Sequence, residues 1–375
     1  MGKIFTALGL MSGTSGDGVD ASIITSDGVN QYKEIVNKYF KYDPKLNENL
    51  LNLRAKILKL EDLKKNEEEI NDLEKRITLF HAKVVFETLK LTKKKINIIG
   101  FHGQTIYHNS VEKTSKQIGD GNLLSQLTKK IIICNFRQND IDNGGEGAPL
   151  TPVFHELIIK KRKIELPVCI LNIGGISNVT AISEINNNSF SSRDLGPGNC
   201  LIDEWIRNNT KNKFDDKGKI AKKGKVNELI LNQALDNFYN GPYQDALSFD
   251  TKDFSQGFVR GLNLEDGAST LTEFTANIIR SRLLAFLPEV EKNFWKILIC
   301  GGGRKNFYLI ERIKHKTPKN LSIESIDDYG VNGDYVESQA FAYLAIRSFL
   351  KLPISFPSTT KCKEPTTGGV IVKNY

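Results

Sequence analysis

Two glycine-rich turns, each lying between two apolar runs, constrain the fold of this chain more than any other feature. The first covers residues 9–20 and contains four glycines, three small hydroxyl residues and two aspartates. A polar, glycine-rich turn between apolar runs is typical of a β-hairpin. Glycine lets the backbone approach a ligand closely, and successive N–H groups in such a turn can bind an anion. The turn therefore suits a nucleotide phosphate, with Asp17 or Asp20 beside its cation; an ordinary glycine-rich hairpin is the alternative.

The second turn, residues 172–178, repeats this arrangement in the second half of the chain. An apolar run leads into two glycines, and Ser177 and Asn178 precede a further apolar run. Strand and helix patterns alternate after each turn, which is typical of α/β domains. The sequence therefore predicts a duplicated α/β architecture, with a nucleotide in the cleft between the halves.

Polar stretches follow several short apolar runs that we interpret as strands. Such runs end at His102, at a polar loop over residues 137–150, and at the three glycines that begin at Gly301. Ligands of open α/β sheets bind at the carboxyl ends of the strands, so these stretches are candidate ligand contacts. His102 is either a substrate contact or a structural residue. The guanidinium of Arg137 could bind a carboxylate or a phosphate, and Glu146 lies among glycines where backbone and ligand can meet.

Length and composition narrow the classes of protein that this chain can belong to. A chain of 375 residues exceeds what one hydrophobic core usually supports, which predicts two domains. No run reaches the roughly 18 apolar residues of a membrane span. The net charge of +8 comes from lysines scattered along the chain, so we expect no nucleic-acid partner. The five cysteines show no metal-ligand spacing, and a reducing cytoplasm is the expected location.

Taken together, the chain resembles the anhydro-N-acetylmuramic acid kinase family over nearly its whole length. The stretches that carry the resemblance, in the family's order, are residues 9–21, 101–106, 137–155, 172–178, 194–203, 266–276, 301–306 and 352–360. The family shares the fold of acetate and sugar kinases, heat-shock chaperones and actin. The resemblance therefore implies an α/β fold of two RNase H-like domains around a central nucleotide cleft. We expect residues 1–150 with 337–375 to form the N-terminal domain and residues 151–336 the C-terminal domain.

The resemblance also implies an activity and a set of site residues. The enzyme would be an ATP- and Mg²⁺-dependent kinase of peptidoglycan recycling. It would open the 1,6-anhydro bridge of anhydro-N-acetylmuramic acid with water and phosphorylate the freed O6. By this resemblance the ATP contacts are Gly13, Thr14, Ser15, Gly16, Asp17, Gly18, Val19, Asp20, Gly174, Gly175, Ser177, Asn178, Gly301, Gly302, Gly303 and Arg304. The sugar contacts are Gln104, Arg137, Glu146 and Glu337, the magnesium ligand is Asp17, and the catalytic base is Asp194.

The sequence departs from the family pattern at two places, and it leaves alternative roles for Asp194 and alternative functions open. Gly16 replaces a bulky apolar residue, and residues 241–250 lack the lysine of the corresponding family segment. Asp194 precedes a predicted helix over residues 200–207, so a helix N-cap and a magnesium ligand are alternative roles. The N-terminus of that helix would face an anion. A kinase of another anhydrosugar such as levoglucosan, a non-enzymatic nucleotide switch of the actin or chaperone type, and a homodimer are further possibilities.

Overall fold

A computed structural model describes residues 2–13, 15–184, 189–241 and 248–375 of the chain. Thr14 and residues 242–247, most of the departing segment, lie outside the described residues. The described strands are β1 (Phe5–Met11), β2 (Gly18–Ser26), β3 (Tyr32–Lys41), β4 (Ile98–Phe101), β5 (Gln104–Asn109), β6 (Thr114–Ile118), β7 (Ile131–Cys134), β8 (Val168–Ile173), β9 (Ile176–Ile182), β10 (Phe190–Pro197), β11 (Trp295–Cys300), β12 (Leu321–Ser325) and β13 (Val370–Val372).

The helices alternate with these strands. The described α-helices are α1 (Pro44–Lys56), α2 (Leu60–Lys65), α3 (Glu67–Leu89), α4 (Gly121–Thr128), α5 (Gln138–Asp142), α6 (Pro152–Arg162), α7 (Cys200–Asn209), α8 (Glu228–Tyr239), α9 (Leu264–Phe286), α10 (Phe307–Lys314), α11 (Val336–Phe349) and α12 (Pro357–Thr360). None of the helices in the described part of the chain combines the length and hydropathy of a membrane-spanning segment.

The chain forms two units, the first of which comprises Met1–Lys163 and Tyr335–Tyr375. Its main sheet has the order β13-β7-β4-β1-β2-β3. All seven residues of β1 are buried, because this strand pairs antiparallel with β2 on one side and parallel with β4 on the other. Helix α11 packs directly on the sheet at Gly9, where a Cβ would lie 1.9 Å from the carbonyl oxygen of Ser338. Glycine at this position therefore permits the close approach of α11 to the carboxyl half of β1.

The second unit, Ile164–Asp334, contains a sheet of order β10-β9-β8-β11-β12. Strand β9 is antiparallel to its two neighbours, whereas β8, β11 and β12 run parallel. The long helix α9 buries one face in the core of this unit, together with Trp295 of β11.

Both sheets have the same connectivity in their first five strands. When these strands are numbered within each unit, the spatial order is 3-2-1-4-5, and among these five only the second strand runs antiparallel to the others. This is the RNase H-like arrangement, so the predicted α/β fold class with two such domains is confirmed.

The division between the units falls after Lys163 rather than after residue 150. Helix α6 therefore belongs to the first unit, although the sequence assigned residues 151–162 to the second domain. The cause is aromatic packing, since the Phe154 ring lies 5.2 Å from the Tyr32 ring and 5.6 Å from the Tyr343 ring. Tyr335 and Val336, which we expected in the second domain, also lie in the first unit.

Candidate active site

The first glycine-rich turn joins β1 to β2, as its sequence pattern predicts. Within it, the Gly16 N–H donates to the Gly13 carbonyl oxygen over 3.1 Å, which closes a tight turn. The Ser15 hydroxyl donates to Asp17 Oδ1 over 2.6 Å, and Asp17 is half-buried. The turn therefore carries one carboxylate that is oriented by a neighbouring hydroxyl.

Residues from β3, from α1 and from the segment between them bind the backbone of this turn. The Tyr39 hydroxyl and the Tyr42 N–H both donate to the Asp17 carbonyl oxygen, over 3.0 and 2.9 Å. The Asn47 amide donates to the Gly16 carbonyl oxygen over 2.6 Å. These three residues fix the backbone of the turn, and sequence reasoning missed them because nothing in their local sequence links them to residues 16 and 17.

The glycines of the turn serve different purposes. Gly16 has a φ of +61°, and a Cβ there would lie 2.9 Å from Leu50 Cδ2, so the fold itself requires this glycine. The departure of Gly16 from the family pattern is thus matched by local backbone geometry. In contrast, a Cβ on Gly13 would have no described heavy atom within 4 Å beyond its chain neighbours. Open space beside Gly13 is available to a ligand.

Packing constrains Gly18 and Val19, and Asp20 stays a predicted contact. Val19 is fully buried in the core of the first unit, so its side chain is unavailable to a ligand. A Cβ on Gly18 would lie 2.4 Å from the Phe40 carbonyl oxygen. Asp20 is half-buried and stands opposite Met11 in the hairpin. Any contact of Gly18 and Val19 with a nucleotide would therefore use their backbone.

Gln104 binds the first turn from the start of β5. Its side chain is fully buried, accepts a hydrogen bond from the Ser12 hydroxyl over 2.5 Å, and donates to the Gly13 carbonyl oxygen over 3.0 Å. Gln104 thus joins the end of β1 to the segment that follows β4. Its predicted contact with the sugar stays a prediction.

Arg137 lies just before α5 and is oriented by His102. Its Nη1 donates to the Gly147 carbonyl oxygen over 2.8 Å, and its Nη2 lies 3.0 Å from His102 Nε2. His102 Nδ1 lies 2.9 Å from the Gly103 carbonyl oxygen, which can only accept, so Nδ1 carries the proton and Nε2 accepts from Arg137. Burial lowers the pKa of His102 to about 3, and the charge of Arg137 acts in the same direction. His102 is therefore neutral at physiological pH and fixes the guanidinium.

The two glutamates predicted to bind the sugar also lie in the first unit. The Glu146 carboxylate accepts a hydrogen bond from the Ser110 hydroxyl, and the Glu146 N–H donates to the Thr360 carbonyl oxygen over 2.7 Å. Glu337 is half-buried in the first turn of α11, next to Ser338, whose carbonyl approaches Gly9. The described contacts thus place Glu146 and Arg137 on one loop and Glu337 near the carboxyl half of β1.

The second glycine-rich turn, Gly174 and Gly175, joins β8 to β9 and packs on the start of α7. The Gly175 carbonyl oxygen accepts from the N–H groups of Gly198 (2.8 Å) and Cys200 (3.2 Å), and the Gly174 carbonyl oxygen accepts from Asn199 N–H (2.8 Å). The first helical N–H of α7 is thus already paired. The turn therefore covers part of this helix terminus, and its approach to an anion stays a prediction.

A row of polar residues crosses the second sheet near this turn. In the strand register Asp194 of β10 stands opposite Asn178 of β9, which stands opposite Asn172 of β8. Residues directly opposite in antiparallel strands point to the same face with Cβ atoms roughly 5 Å apart. Ser177, in contrast, is fully buried and donates its hydroxyl to the Gly196 carbonyl oxygen over 3.0 Å. The sequence pattern includes Asn172 in the second turn and does not predict it as a contact, whereas the structure places this polar residue within the otherwise apolar strand β8.

Asp194 lies inside β10 rather than at a helix N-cap. The strand continues to Pro197 after a bulge between Asp194 and Gly196, and Asn199 is the N-cap of α7. The Asp194 side chain is 6% exposed, and its Oδ2 accepts a hydrogen bond from the Phe249 N–H over 2.9 Å. The N-cap role is therefore excluded, and the carboxylate is held in a fixed orientation by a main-chain donor.

The glycines after β11 form a tight turn that also leaves open space. Gly301 has a φ of +78°, and its N–H donates to the Gly333 carbonyl oxygen over 3.0 Å. A Cβ on Gly303 would lie 2.2 Å from Ile173 Cγ2, so packing requires this glycine. A Cβ on Gly302 would meet no described heavy atom within 4 Å beyond its chain neighbours. Gly302 is thus the position of this turn that a ligand could approach.

Arg304 is bound by two carboxylates. Its Nε donates to Asp327 over 2.6 Å and its Nη1 donates to Asp334 over 2.6 Å. Burial alone would lower the pKa of Arg304, but these partners raise it above its usual value. Burial likewise opposes the ionisation of Asp327, yet the hydrogen bond from Arg304 outweighs it and holds the pKa of that carboxyl at about 2. The guanidinium therefore anchors the turn, and any adenosine contact would use its flat face.

Among the residues that the structure describes, no group of three or more histidine, cysteine, aspartate or glutamate side chains is arranged to hold a metal ion. Mg²⁺ in nucleotide enzymes is often held by one or two carboxylates together with the substrate phosphates. Asp17 fits that requirement as a single carboxylate in a hydroxyl-rich turn.

Two RNase H-like units, each opened by a glycine-tipped hairpin, define a protein of the sugar kinase and actin class. Within that class, a sequence model of the family described as Anhydro-N-acetylmuramic acid kinase matches residues 5–374. The chain therefore belongs to the anhydro-N-acetylmuramic acid kinase family, and the predicted membership is confirmed.

Two relatives of that name match the chain over its whole length. An anhydro-N-acetylmuramic acid kinase of Pelagibacter ubique is 58% identical over 100% of both chains. The protein of that name from Agrobacterium fabrum is 36% identical over 100% of both chains. Among solved structures, a hexokinase from Schistosoma mansoni complexed with glucose matches 91% of this chain and 85% of its own, with 10% identity and a TM-score of 0.41. A ROK family glucokinase from Streptomyces griseus in complex with glucose and AMPPNP matches 91% of this chain and 99% of its own, with 10% identity and a TM-score of 0.40.

Proposed function

We propose that this protein uses ATP and Mg²⁺ to open the 1,6-anhydro bridge of 1,6-anhydro-N-acetylmuramic acid and to phosphorylate O6. The product is N-acetylmuramic acid 6-phosphate, an intermediate of peptidoglycan recycling. The observation that carries the proposal is the family match over residues 5–374. The reaction belongs in the cytoplasm, where ATP is available.

The nucleotide binds at the glycine positions that the fold does not itself require. Gly13 and Gly302 both leave open space at the position of a Cβ, whereas Gly16 and Gly303 are required by conformation or packing. Backbone N–H groups of the first turn bind the phosphates, and Asp17 contributes a carboxylate oxygen to Mg²⁺. When bound, the cation neutralises charge that develops on the transferred phosphoryl group.

The sugar binds through residues of the first unit. The substrate carries a lactyl carboxylate, and a guanidinium that is already fixed by His102 and Gly147 can present its remaining N–H groups to such a carboxylate. Glu146 and Glu337 supply acceptors for hydroxyl and acetamido groups, whereas a contact from Gln104 would have to use its second amide N–H, because its other polar atoms are bonded to Ser12 and Gly13. Levoglucosan lacks the lactyl group and therefore loses the contact with Arg137.

Asp194 acts as the general base of the hydrolytic step. A water molecule attacks C1 and gives a proton to the Asp194 carboxylate, while the C1–O6 bond breaks. The departing O6 forms a bond to the γ-phosphorus, and the bond from that phosphorus to the β,γ-bridging oxygen breaks, which releases ADP. The proton on Asp194 then passes to solvent. The hydrogen bond from Phe249 N–H keeps the carboxylate in one orientation for the water.

Turnover on a panel of sugars tests the proposed activity. We expect ADP release with Mg²⁺-ATP only when an anhydrosugar is present, and a higher kcat/KM for anhydro-N-acetylmuramic acid than for levoglucosan. A preference for levoglucosan would assign the protein to another anhydrosugar. Steady ATP hydrolysis that no sugar affects would instead support a nucleotide switch.

A pair of glycine variants tests the nucleotide site. Gly13→Ala adds a methyl group into open space, so we expect a normal melting temperature and a KM for ATP raised at least about tenfold. Gly16→Ala is the matched control, because strain at φ +61° lowers stability by about 1 kcal/mol whether or not a nucleotide binds nearby. An unchanged KM for ATP in Gly13→Ala would exclude the phosphates from this turn.

A homodimer stays a prediction, which sedimentation velocity of the purified protein would check.

A further inference from the structure

The C-terminal motif that ends at Thr360 makes two hydrogen bonds to the loop that carries Glu146. Thr360 is fully buried at the end of α12. Its hydroxyl donates to Asp140 Oδ1 over 2.7 Å, and its carbonyl oxygen accepts from Glu146 N–H over 2.7 Å. Neither bond lies within one secondary-structure element, and both join parts of the chain more than 200 positions apart.

Asp140, which binds Thr360, also binds two glycines of the loop. The other carboxylate oxygen, Oδ2, accepts from Gly147 N–H over 2.7 Å, and the Asp140 carbonyl oxygen accepts from Gly145 N–H over 2.8 Å. Asp140 is 1% exposed, and a Cβ on Gly145 would lie 2.2 Å from Oδ2. The glycine therefore makes room for a carboxylate inside the loop, where hydrogen bonds to a charged acceptor are strong.

The same loop ends at the guanidinium predicted to bind the sugar. The Gly147 carbonyl oxygen accepts from Arg137 Nη1 over 2.8 Å. Two further bonds tie the tail to the other side of the loop, from Lys363 N–H to the Asn143 carbonyl oxygen (3.2 Å) and from the Asn139 amide to the Thr367 carbonyl oxygen (2.5 Å). A continuous series of hydrogen bonds thus runs from Thr360 through Asp140 and Gly147 to Arg137.

We propose that the C-terminal segment 360–367 is a positioning element of the sugar site, in which Thr360 and Asp140 set the placement of Arg137 and Glu146. The inference rests on the proposed sugar contacts of those two residues. It gives a role to Thr360, the last residue of the stretch 352–360, which the nucleotide and sugar contacts do not use. Neither Thr360 nor Asp140 touches the substrate; they act through the loop.

Isosteric variants of Thr360 provide the test. Thr360→Val removes the hydroxyl and keeps the shape, so we expect the KM for anhydro-N-acetylmuramic acid to rise at least about tenfold, with the KM for ATP within about twofold of the wild type. Thr360→Ser restores the donor and should return the KM for the sugar to within about threefold of the wild type. Thr359→Val is the matched control, because the Thr359 hydroxyl bonds only to Phe356 of its own turn in the described contacts.

A second variant covers the case in which Thr360→Val does not fold. Asp140→Asn keeps the volume but offers one carbonyl oxygen where two donors converge, and we expect the same selective rise in the KM for the sugar. A rise in both KM values together, or a lower melting temperature with unchanged kinetics, would reduce the segment to a purely structural part of the fold.

A reference variant separates this inference from the proposed function. Arg137→Lys should raise the KM for the sugar, because an ammonium cannot reproduce the guanidinium fork. If Arg137→Lys has no effect, the proposed sugar site is wrong, and the positioning role falls with it. If Arg137→Lys raises the KM and Thr360→Val does not, only the positioning role is wrong.

Discussion

The substitution Asp194→Asn separates the chemical role of this residue from its structural role. The wild-type carboxylate is 6% exposed, and its Oδ2 accepts a main-chain hydrogen bond from Phe249 over 2.9 Å. The asparagine amide can turn its oxygen toward the same N–H, so the bond is kept but becomes a bond to a neutral acceptor. Such bonds are weaker than those to charged groups by about 1 kcal/mol. We therefore expect a melting temperature about 2–4 °C lower, the shift per kcal/mol in a domain of this size.

The effect on catalysis should be much larger than the effect on stability. An amide cannot accept the proton of the attacking water at neutral pH, and loss of a general base costs about 10²–10⁴-fold in turnover. We expect Asp194→Asn to bind ATP with near wild-type affinity and to lose both bridge opening and phosphoryl transfer. Steady-state ADP release, with nucleotide affinity from calorimetry and melting by circular dichroism, measures the three quantities.

Asp215→Asn is the matched control for this experiment. Asp215 is 3% exposed in the same unit, and its two oxygens accept from the N–H groups of Ile220 (2.8 Å) and Ala221 (2.9 Å). Its amide would satisfy only one of these donors, so Asp215→Asn should lower stability more than Asp194→Asn while leaving kcat unchanged. An Asp194→Asn enzyme that keeps more than about a tenth of wild-type turnover would refute the base assignment.

Two further predictions concern the first unit. Asp17→Ala should lower Mg²⁺-dependent turnover at least about tenfold, equivalent to about 1.4 kcal/mol, because the Asp17 carboxylate is the predicted magnesium ligand. A titration of kcat with Mg²⁺ checks this. Full activity of the variant would mean that Asp17 only shapes its turn. Burial lowers the pKa of His81 to about 4, from 6.5 in the unfolded state. Between these two values the unfolded state binds a proton that the folded state does not. The free energy of unfolding therefore decreases as the pH is lowered below about 6.5. Between pH 7 and pH 5 the wild type should lose about 2 kcal/mol more unfolding free energy than His81→Leu in urea titrations, and equal losses would contradict a neutral, buried His81.

The sequence predicted those parts of the fold that depend on local patterns. Apolar runs around a glycine-rich turn correctly predicted the hairpins β1–β2 and β8–β9. The repetition of this pattern in the second half of the chain predicted the duplicated fold. Apolar spacing predicts helical structure over residues 59–95, and the chain forms α2 and α3 there, with a break at Asn66, whose φ of −110° is non-helical, and an end at Leu89. The loop over residues 137–150 also contains the short helix α5. Apolar periodicity thus predicts that a segment is helical more reliably than it predicts where the helix is interrupted.

The parts of the site that sequence reasoning missed depend on contacts between distant residues. Asp140 is one of several aspartates in a polar loop, and only the fold brings Thr360 to its carboxylate. The sequence allows both a structural and a substrate role for His102, and its bond to Arg137 shows that it orients a predicted binding residue. Arg304 follows three glycines, which suggests a ligand contact. Its guanidinium instead binds Asp327 and Asp334, which lie more than 20 positions away in the sequence. No local pattern encodes such pairs.

The fate of the water oxygen tests the proposed reaction most directly. The purified protein is incubated with Mg²⁺-ATP and anhydro-N-acetylmuramic acid in ¹⁸O-water, and the products are examined by mass spectrometry with fragmentation. A parallel sample of the sugar 6-phosphate without enzyme measures the exchange of the C1 oxygen with solvent. Attack of water on C1 predicts one ¹⁸O on C1 above that background, with no ¹⁸O in the phosphoryl group of the sugar. Label in inorganic phosphate, with the anhydro bridge intact, would contradict the account and show that water attacks the nucleotide instead.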